Sequence, residues 1–228
     1  MSLFAIADTH LSFGTDKPMD TFEGWQNYTQ KLETNWNKVV AENDDVLIAG
    51  DISWAMNFDE LVADFQFLEK LNGNKIILKG NHDYWWNTVS KMNKFLLENE
   101  FKTIKFLYNN SYDCAGVSIC GTRGWMLENE DEDNERILLR EIGRLKRSLD
   151  SAQNEQKIVF LHYPPVSQNS CCNRIVDVLN EYGIKKCFFG HLHGEAAKYV
   201  LEGNINGIDY RLISCDRLKF TPYLILKY

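Results

Sequence analysis

The sequence predicts an α/β fold, and three observations carry that expectation. Short, unbroken apolar runs alternate with longer amphipathic segments. The runs are only four or five residues long and rich in Val, Ile, Leu and Phe, as strands covered on both faces are. Two later stretches, 104–120 and 197–227, are strand-like with no helical pattern between their runs, which suggests hairpins or antiparallel strands.

Taken in order, the first strand is Leu3 to Ala7, followed by a long connection and a helix over about 26–41. A second strand, Val46 to Ala49, leads to a helix over 57–71, where Phe58, Leu61, Val62, Phe65, Leu68 and Leu71 recur at three- and four-residue steps on one face. Lys75 to Leu78 is the third strand, with a helix over 86–98 after it, and Val117 to Cys120 lies in the first hairpin-like stretch. The acidic run Glu128-Asn129-Glu130-Asp131-Glu132-Asp133 precedes a helix from about Asn134 to Ser151, a placement favourable to the helix dipole. Strands Lys157 to Leu161 and Lys186 to Phe189 bracket a helix over 172–182. With no internal repeat and no low-complexity linker, one domain over residues 1–228 is expected.

Composition excludes several classes. At 228 residues and 44% hydrophobic the chain can bury a sizeable core. A net charge of −7 and a pI of about 5.3 remove any general attraction to long nucleic acid or anionic membrane, so a phosphate-bearing partner must be held by a local site. No apolar stretch approaches the roughly 20 residues needed to span a bilayer, and the N-terminal run meets Asp8 too soon for a signal sequence. Cys114, Cys120, Cys187 and Cys215 sit in strand-like segments without C-x-x-C pairs, as buried free thiols do, which suggests a cytoplasmic address. Cys171 and Cys172 are adjacent in a loop-like stretch, where a metal or redox role is open.

Chemistry enters where the strands end. The first strand runs into Asp8-Thr9-His10, the second into Gly50-Asp51, and the third, past Lys79, into Gly80-Asn81-His82-Asp83. The later ones run into His162 and into Gly190-His191-Leu192-His193-Gly194. All five histidines of the protein fall in this set. Open α/β sheets bind ligands at the carboxyl ends of their strands, so these residues are expected to converge on one crevice.

Asp8, His10, Asp51, Asn81, His162, His191 and His193 offer carboxylate, imidazole and amide donors without thiolate, a set suited to divalent manganese, iron, zinc, cobalt or nickel. So many imidazoles argue against calcium or magnesium as sole occupant. The donors exceed what one ion takes, and two ions sharing a carboxylate fit better. Paired metals roughly 3.5–4 Å apart clamp a phosphoryl group and activate water, so hydrolysis of a phosphate ester is the reaction class best served.

The ordered blocks Asp-x-His, Gly-Asp, Gly-Asn-His-Asp, a single His and Gly-His-x-His, spanning residues 8 to 193, resemble the calcineurin-like metallophosphoesterase superfamily. The resemblance implies a four-layer α/β/β/α sandwich in which two mixed sheets pack face to face with helices outside. It implies that Asp8, His10, Asp51 and His193 hold a first metal. Asp51 as bridge, with Asn81, His162 and His191, then holds a second, and a bridging hydroxide attacks phosphorus. His82 is then a non-ligand facing substrate, able to protonate a leaving alkoxide. For Asp83 two readings stand open: an orienting partner of His82, or the N-cap of the segment starting near Tyr84.

Specificity is left to the loops. Arg123, in Gly121-Thr122-Arg123-Gly124-Trp125, could fork onto phosphate oxygens or pair with the acidic run that follows. Trp54, Trp85 and Trp86 could stack on a flat leaving group or pack as core and rim. The stretch Leu11 to Thr29 could form a flap over the site. In the family, members with Gly-Asn-His-Asp in the third block include enzymes that cleave phosphodiesters or nucleotides. Protein phosphatases place Glu last and add arginines, and no arginine is near that block here. The expected substrate is a small phosphodiester or phosphomonoester, with a nuclease, a non-catalytic scaffold of the same fold or a metal-dependent amide or ester hydrolase as alternatives. The oligomeric state is not written in the sequence.

Overall fold

The computed structural model describes residues 1–125, 132–166 and 172–227. Eleven strands form two mixed sheets. In the first, β1 (Ser2–Ile6), β2 (Asp45–Ala49), β3 (Asn74–Leu78) and β4 (Ile104–Phe106) run parallel, and β11 (Tyr223–Lys227) pairs antiparallel with β1 at the edge. In the second, β6 (Val117–Thr122), β7 (Lys157–Leu161), β8 (Lys186–Phe189) and β10 (Ile208–Leu212) are parallel. There β5 (Tyr112–Cys114) and β9 (Gly203–Ile205) are antiparallel edges.

Among the described residues five helices cover the outer faces: α1 (Tyr28–Val39), α2 (Phe58–Lys70) and α3 (Val89–Glu98) over the first sheet, α4 (Glu132–Asp150) and α5 (Asn173–Glu181) over the second. The four layers enclose three apolar clusters. Leu32, Trp36, Leu61, Phe65, Met92 and Phe95 of the helices pack on alternate residues of β1 to β3, such as Ile6, Ile48 and Ile77. The other face of those strands supplies Leu3, Ala5, Leu47, Ala49, Ile76 and Leu78, which meet Ile119, Ile158, Phe160 and Phe188 of the second sheet. Leu138, Leu145, Ile175 and Leu179 close the far side over Val159, Leu161 and Phe189. Strands buried on both faces explain the unbroken apolar runs.

Helix boundaries differ from the periodicity where local chemistry intervenes. The Asn57 side chain caps α2, accepting from the Glu60 amide at 3.0 Å while Glu60 accepts from Met56 N at 2.8 Å. The third helix starts at Val89 rather than 86, capped by Thr88, because Trp85 and Trp86 turn inward onto Phe65 and Phe106. The fourth starts earlier than expected, with Glu132, Asp133 and Glu135 in its first turn. The rest of the acidic run, 128–131, and Cys171 lie outside the described residues. Cys172 is buried in the second core.

At the carboxyl ends of the strands the two sheets are tied together. Ala7 donates to Ile213 O at 2.8 Å and accepts from Cys215 N at 2.9 Å, which brings the chain after β10 beside the chain after β1.

Candidate metal centre

The loops after β1, β2 and β8 turn sharply enough that Asp8 (φ 61°), His10 (φ 43°), Asp51 (φ 50°) and His191 (φ 74°) all adopt left-handed backbone. Non-glycine residues hold that conformation at a cost, and its concentration on candidate ligands marks a site that the surrounding fold enforces. Gly80 allows the approach of β3 to β2. A Cβ there would lie 2.1 Å from both the Asp51 amide and its Oδ1.

Two clusters result. Ligand atoms of Asp8, His10 and His193 lie within 4.8 Å of one another, as do those of Asp51, His162 and His191. Asp51 Oδ2 stands between them, 3.8 Å from His10 Nε2 and 3.5 Å from His162 Nε2. Asn81 joins the second cluster, its Oδ1 2.7 Å from His162 Nε2. All seven residues expected to ligate are therefore brought together. 

The donor chemistry fits cations. His162 Nδ1–H donates to the Ala49 carbonyl at 3.0 Å, which leaves Nε2 as a bare lone pair facing the Asn81 and Asp51 oxygens. Converging lone pairs repel unless a positive charge sits among them. His10 Nδ1 and His193 Nε2 are buried and without a hydrogen-bond partner. Burial pushes the pKa of His10 down to about 3 and that of His191 to about 4, and lowers that of His162, so these imidazoles are neutral, the form a metal takes. Burial, with Asp8 close by, raises Asp51 to about 7. Burial acts on Asp8 in the same sense, but the His193, His162 and His10 rings outweigh it and hold that carboxyl well below the usual range. A site that penalises one of its two carboxylates is one where added positive charge stabilises the folded protein.

Asp83 and Arg123 take partners that the sequence reading did not name. Asp83 neither orients His82 nor caps a helix. Its buried carboxylate accepts from the Gly80 amide at 2.7 Å, from those of Asp51 and Ile52 at 3.0 and 2.9 Å, and from Trp85 Nε1 at 3.2 Å. It thus binds the second and third loops to each other, a structural task that replaces the catalytic one. The contact of His82 is instead Tyr84, whose hydroxyl lies 3.2 Å from Nδ1. Arg123 pairs with buried Glu141 of α4, Nη2 to Oε1 3.6 Å, and its guanidinium lies 4.9 Å over the Trp125 ring. Its carbonyl does serve the site, accepting from His162 N at 3.0 Å.

Asp216 escaped the sequence reading. Its Oδ1 accepts from His193 Nδ1 at 3.0 Å and its Oδ2 from Gly194 N at 3.1 Å, so Nε2 of His193 is aimed inward, 3.6 Å from Asp8 Oδ1. Although burial opposes it, Asp8 and Asp216 raise the His193 pKa to about 10. The signal was present: Asp216 also follows a strand, the one at Ile208–Leu212. Carboxylates that orient ligating imidazoles typically contribute 10- to 100-fold to metal affinity. Asp216→Asn is therefore expected to weaken manganese binding by roughly that factor, measured by competition with a fluorescent chelator, and unchanged affinity would remove this role.

An α/β/β/α sandwich with paired His/Asp clusters at its strand ends forms a candidate two-metal site. The model of the calcineurin-like phosphoesterase family matches residues 1–195, and the chain belongs to that family. An uncharacterised protein of Methanocaldococcus jannaschii is 24% identical over 170 residues, covering 72% of this chain and 86% of that one. Among solved structures, the phosphopantetheinyl hydrolase of Mycobacterium tuberculosis superposes with a TM-score of 0.58 at 13% identity, covering 100% of this chain and 96% of that one. A protein of unknown function from Aquifex aeolicus superposes at 0.52 and 16%, covering 98% and 95%.

Proposed function

We propose that the protein is a hydrolase of small phosphate esters that uses two divalent ions, with manganese, iron or zinc as the expected metals. The carrying observation is the position of Asp51 Oδ2, within 4 Å of an imidazole from each cluster. Asp8, His10, His193 and Asp51 would hold one ion, and Asp51, Asn81, His162 and His191 the other. Such a pair supplies Lewis acidity toward phosphoryl oxygens and a water nucleophile available at neutral pH.

The chain's own residues supply the rest. Asp216 and the Ala49 carbonyl fix the rings of His193 and His162, so their inward nitrogens keep one direction. His82 sits at the open edge, its side chain 33% exposed, with Nε2 4.0 Å from Asp51 Oδ2. That position supports a role as proton donor to the departing ester oxygen. As an imidazolium the ring would donate from Nδ1 to the Tyr84 hydroxyl and keep the Nε2 proton for the departing oxygen. The net charge of −7 supports a small substrate over a long polyanion. The free, buried Cys114, Cys120, Cys187 and Cys215 support a reducing cytoplasmic setting. Among the described residues no helix is long and apolar enough to cross a membrane.

Parallel assays with manganese on bis-p-nitrophenyl phosphate, p-nitrophenyl phosphate, p-nitrophenyl acetate and plasmid DNA test the reading. Turnover of one or both small phosphates, with little on DNA, is expected. Activity confined to the acetate would assign the site to carbonyl chemistry.

A further inference from the structure

Beside the first ligand cluster lies a cleft of about 380 Å³, with His10 and His193 at its floor and Met19, Phe22, Trp25 and Trp54 around it. The connection from Leu11 to Thr29 thus reaches the site, as a fixed wall. Leu11 N is bonded to Ile52 O at 2.9 Å, Phe13 N to Asp64 Oδ1 at 2.7 Å, and the Tyr28 hydroxyl to His10 O at 3.0 Å.

The walls are rigid rings. Trp25 is buried, its ring edge-on to Phe220 at 5.2 Å and to His193 at 5.8 Å. Trp54 stacks on His10 at 5.0 Å, and its Nε1 reaches Met19 Sδ at 3.3 Å. Phe22 covers neither of them and stands 58% exposed at the mouth. Glu23 and Asp216 are the acidic residues of the lining, so a second anionic group entering the cleft would meet carboxylates.

Resting on the phosphoester reading above, we propose that this cleft is the specificity pocket for a flat, uncharged aromatic ester group of the substrate. The cleft's volume lies in the range of small-ligand pockets, and its opening beside His10 and His193 lets a group bonded to phosphorus enter while the phosphoryl oxygens stay at the metals. Preset aromatic walls reward planar groups, which stack or meet edge-to-face at little entropic cost. Phe22 gains a partner for its exposed face only when such a group is bound.

The test measures binding, so it is independent of turnover. Benzylphosphonate and cyclohexylmethylphosphonate, alike in size and charge but differing in flatness, are titrated calorimetrically into the manganese-loaded protein. Benzylphosphonate is expected to bind about tenfold more tightly, within the range stacking carries. Phe22→Ala and Phe22→Leu, at an exposed position where folding is not at stake, are each expected to remove most of that preference. Equal affinities in the native protein would overturn the pocket, as would failure of both phosphonates to bind, or a preference that survives Phe22→Leu in full. Preferential binding by a protein that hydrolyses none of the phosphate esters would keep the pocket and overturn the enzymatic reading. Hydrolysis without preference would do the reverse.

Discussion

Asp51→Asn is expected to take both metal ions and the phosphoesterase activity away together while leaving the fold in place. The substitution keeps shape and the acceptor for His82 N, which Oδ1 of Asp51 holds at 2.8 Å. It removes the anionic oxygen that both clusters share. An amide oxygen bridges two cations poorly, and without the bridge neither set of remaining donors compensates the repulsion between the ions. Metal analysis of protein purified without chelator should fall from near two ions per chain towards none. Paired-metal stabilisation worth several kcal/mol corresponds to a loss of at least about a thousandfold in kcat/KM.

A second consequence separates this from simple unfolding. Burial, together with Asp8, raises Asp51 to about 7 in the metal-free protein, so ionising it opposes folding. That penalty is absent in acid, grows as pH rises from the ordinary carboxylate range towards about 7, and is then fully present. The neutral Asn lacks it. Metal-free Asp51→Asn should accordingly melt no lower than metal-free native protein above pH 7, and the two curves should converge in acid. Full activity in the variant, or native metal content, would end the dinuclear reading.

Much of this site was legible because its chemistry follows strand ends. A parallel strand buried on both faces ends where its backbone leaves the core, so a His or Asp placed there has one direction available. Asp8, His10, Asp51, Asn81, His162, His191 and His193 all obeyed that rule. Asp83 did not, because adjacency in sequence to His82 does not fix where a side chain points. Its carboxylate was taken by five N–H groups, four of them backbone amides in the turns after β2 and β3. Asp216 was hidden for a different reason: the chain before it reads as a hairpin, and only the sheet order shows β10 beside β8. The division into two sheets was likewise invisible in the apolar runs, since a strand between helices and a second sheet shows the same pattern as one between two helix layers. The family resemblance supplied that layer, and the cluster of Leu47, Ile76, Ile158 and Phe188 between the sheets bears it out.

His82→Ala is the complementary experiment, expected to leave metal content unchanged and lower turnover by roughly two to four decades, the usual contribution of general acid catalysis. His82 is separated from the ligands by its position. Its amide, not its ring, contacts Asp51 closely, and the ring stands at the edge of the site against Trp54 at 4.4 Å and the Tyr84 hydroxyl. Burial and the His162 ring lower its pKa, so near neutrality the imidazolium, the form that would protonate an alkoxide, is the minor one. A proton donor matters most when the departing oxygen is basic. An alkyl leaving group should therefore show the full loss, whereas p-nitrophenolate, which departs without help, should show a much smaller one. Tyr84→Phe should fall between, since it removes the partner of Nδ1 but not the acid. Equal losses for both leaving groups would place His82 on the phosphoryl oxygens instead, as an electrostatic donor whose contribution does not depend on what departs.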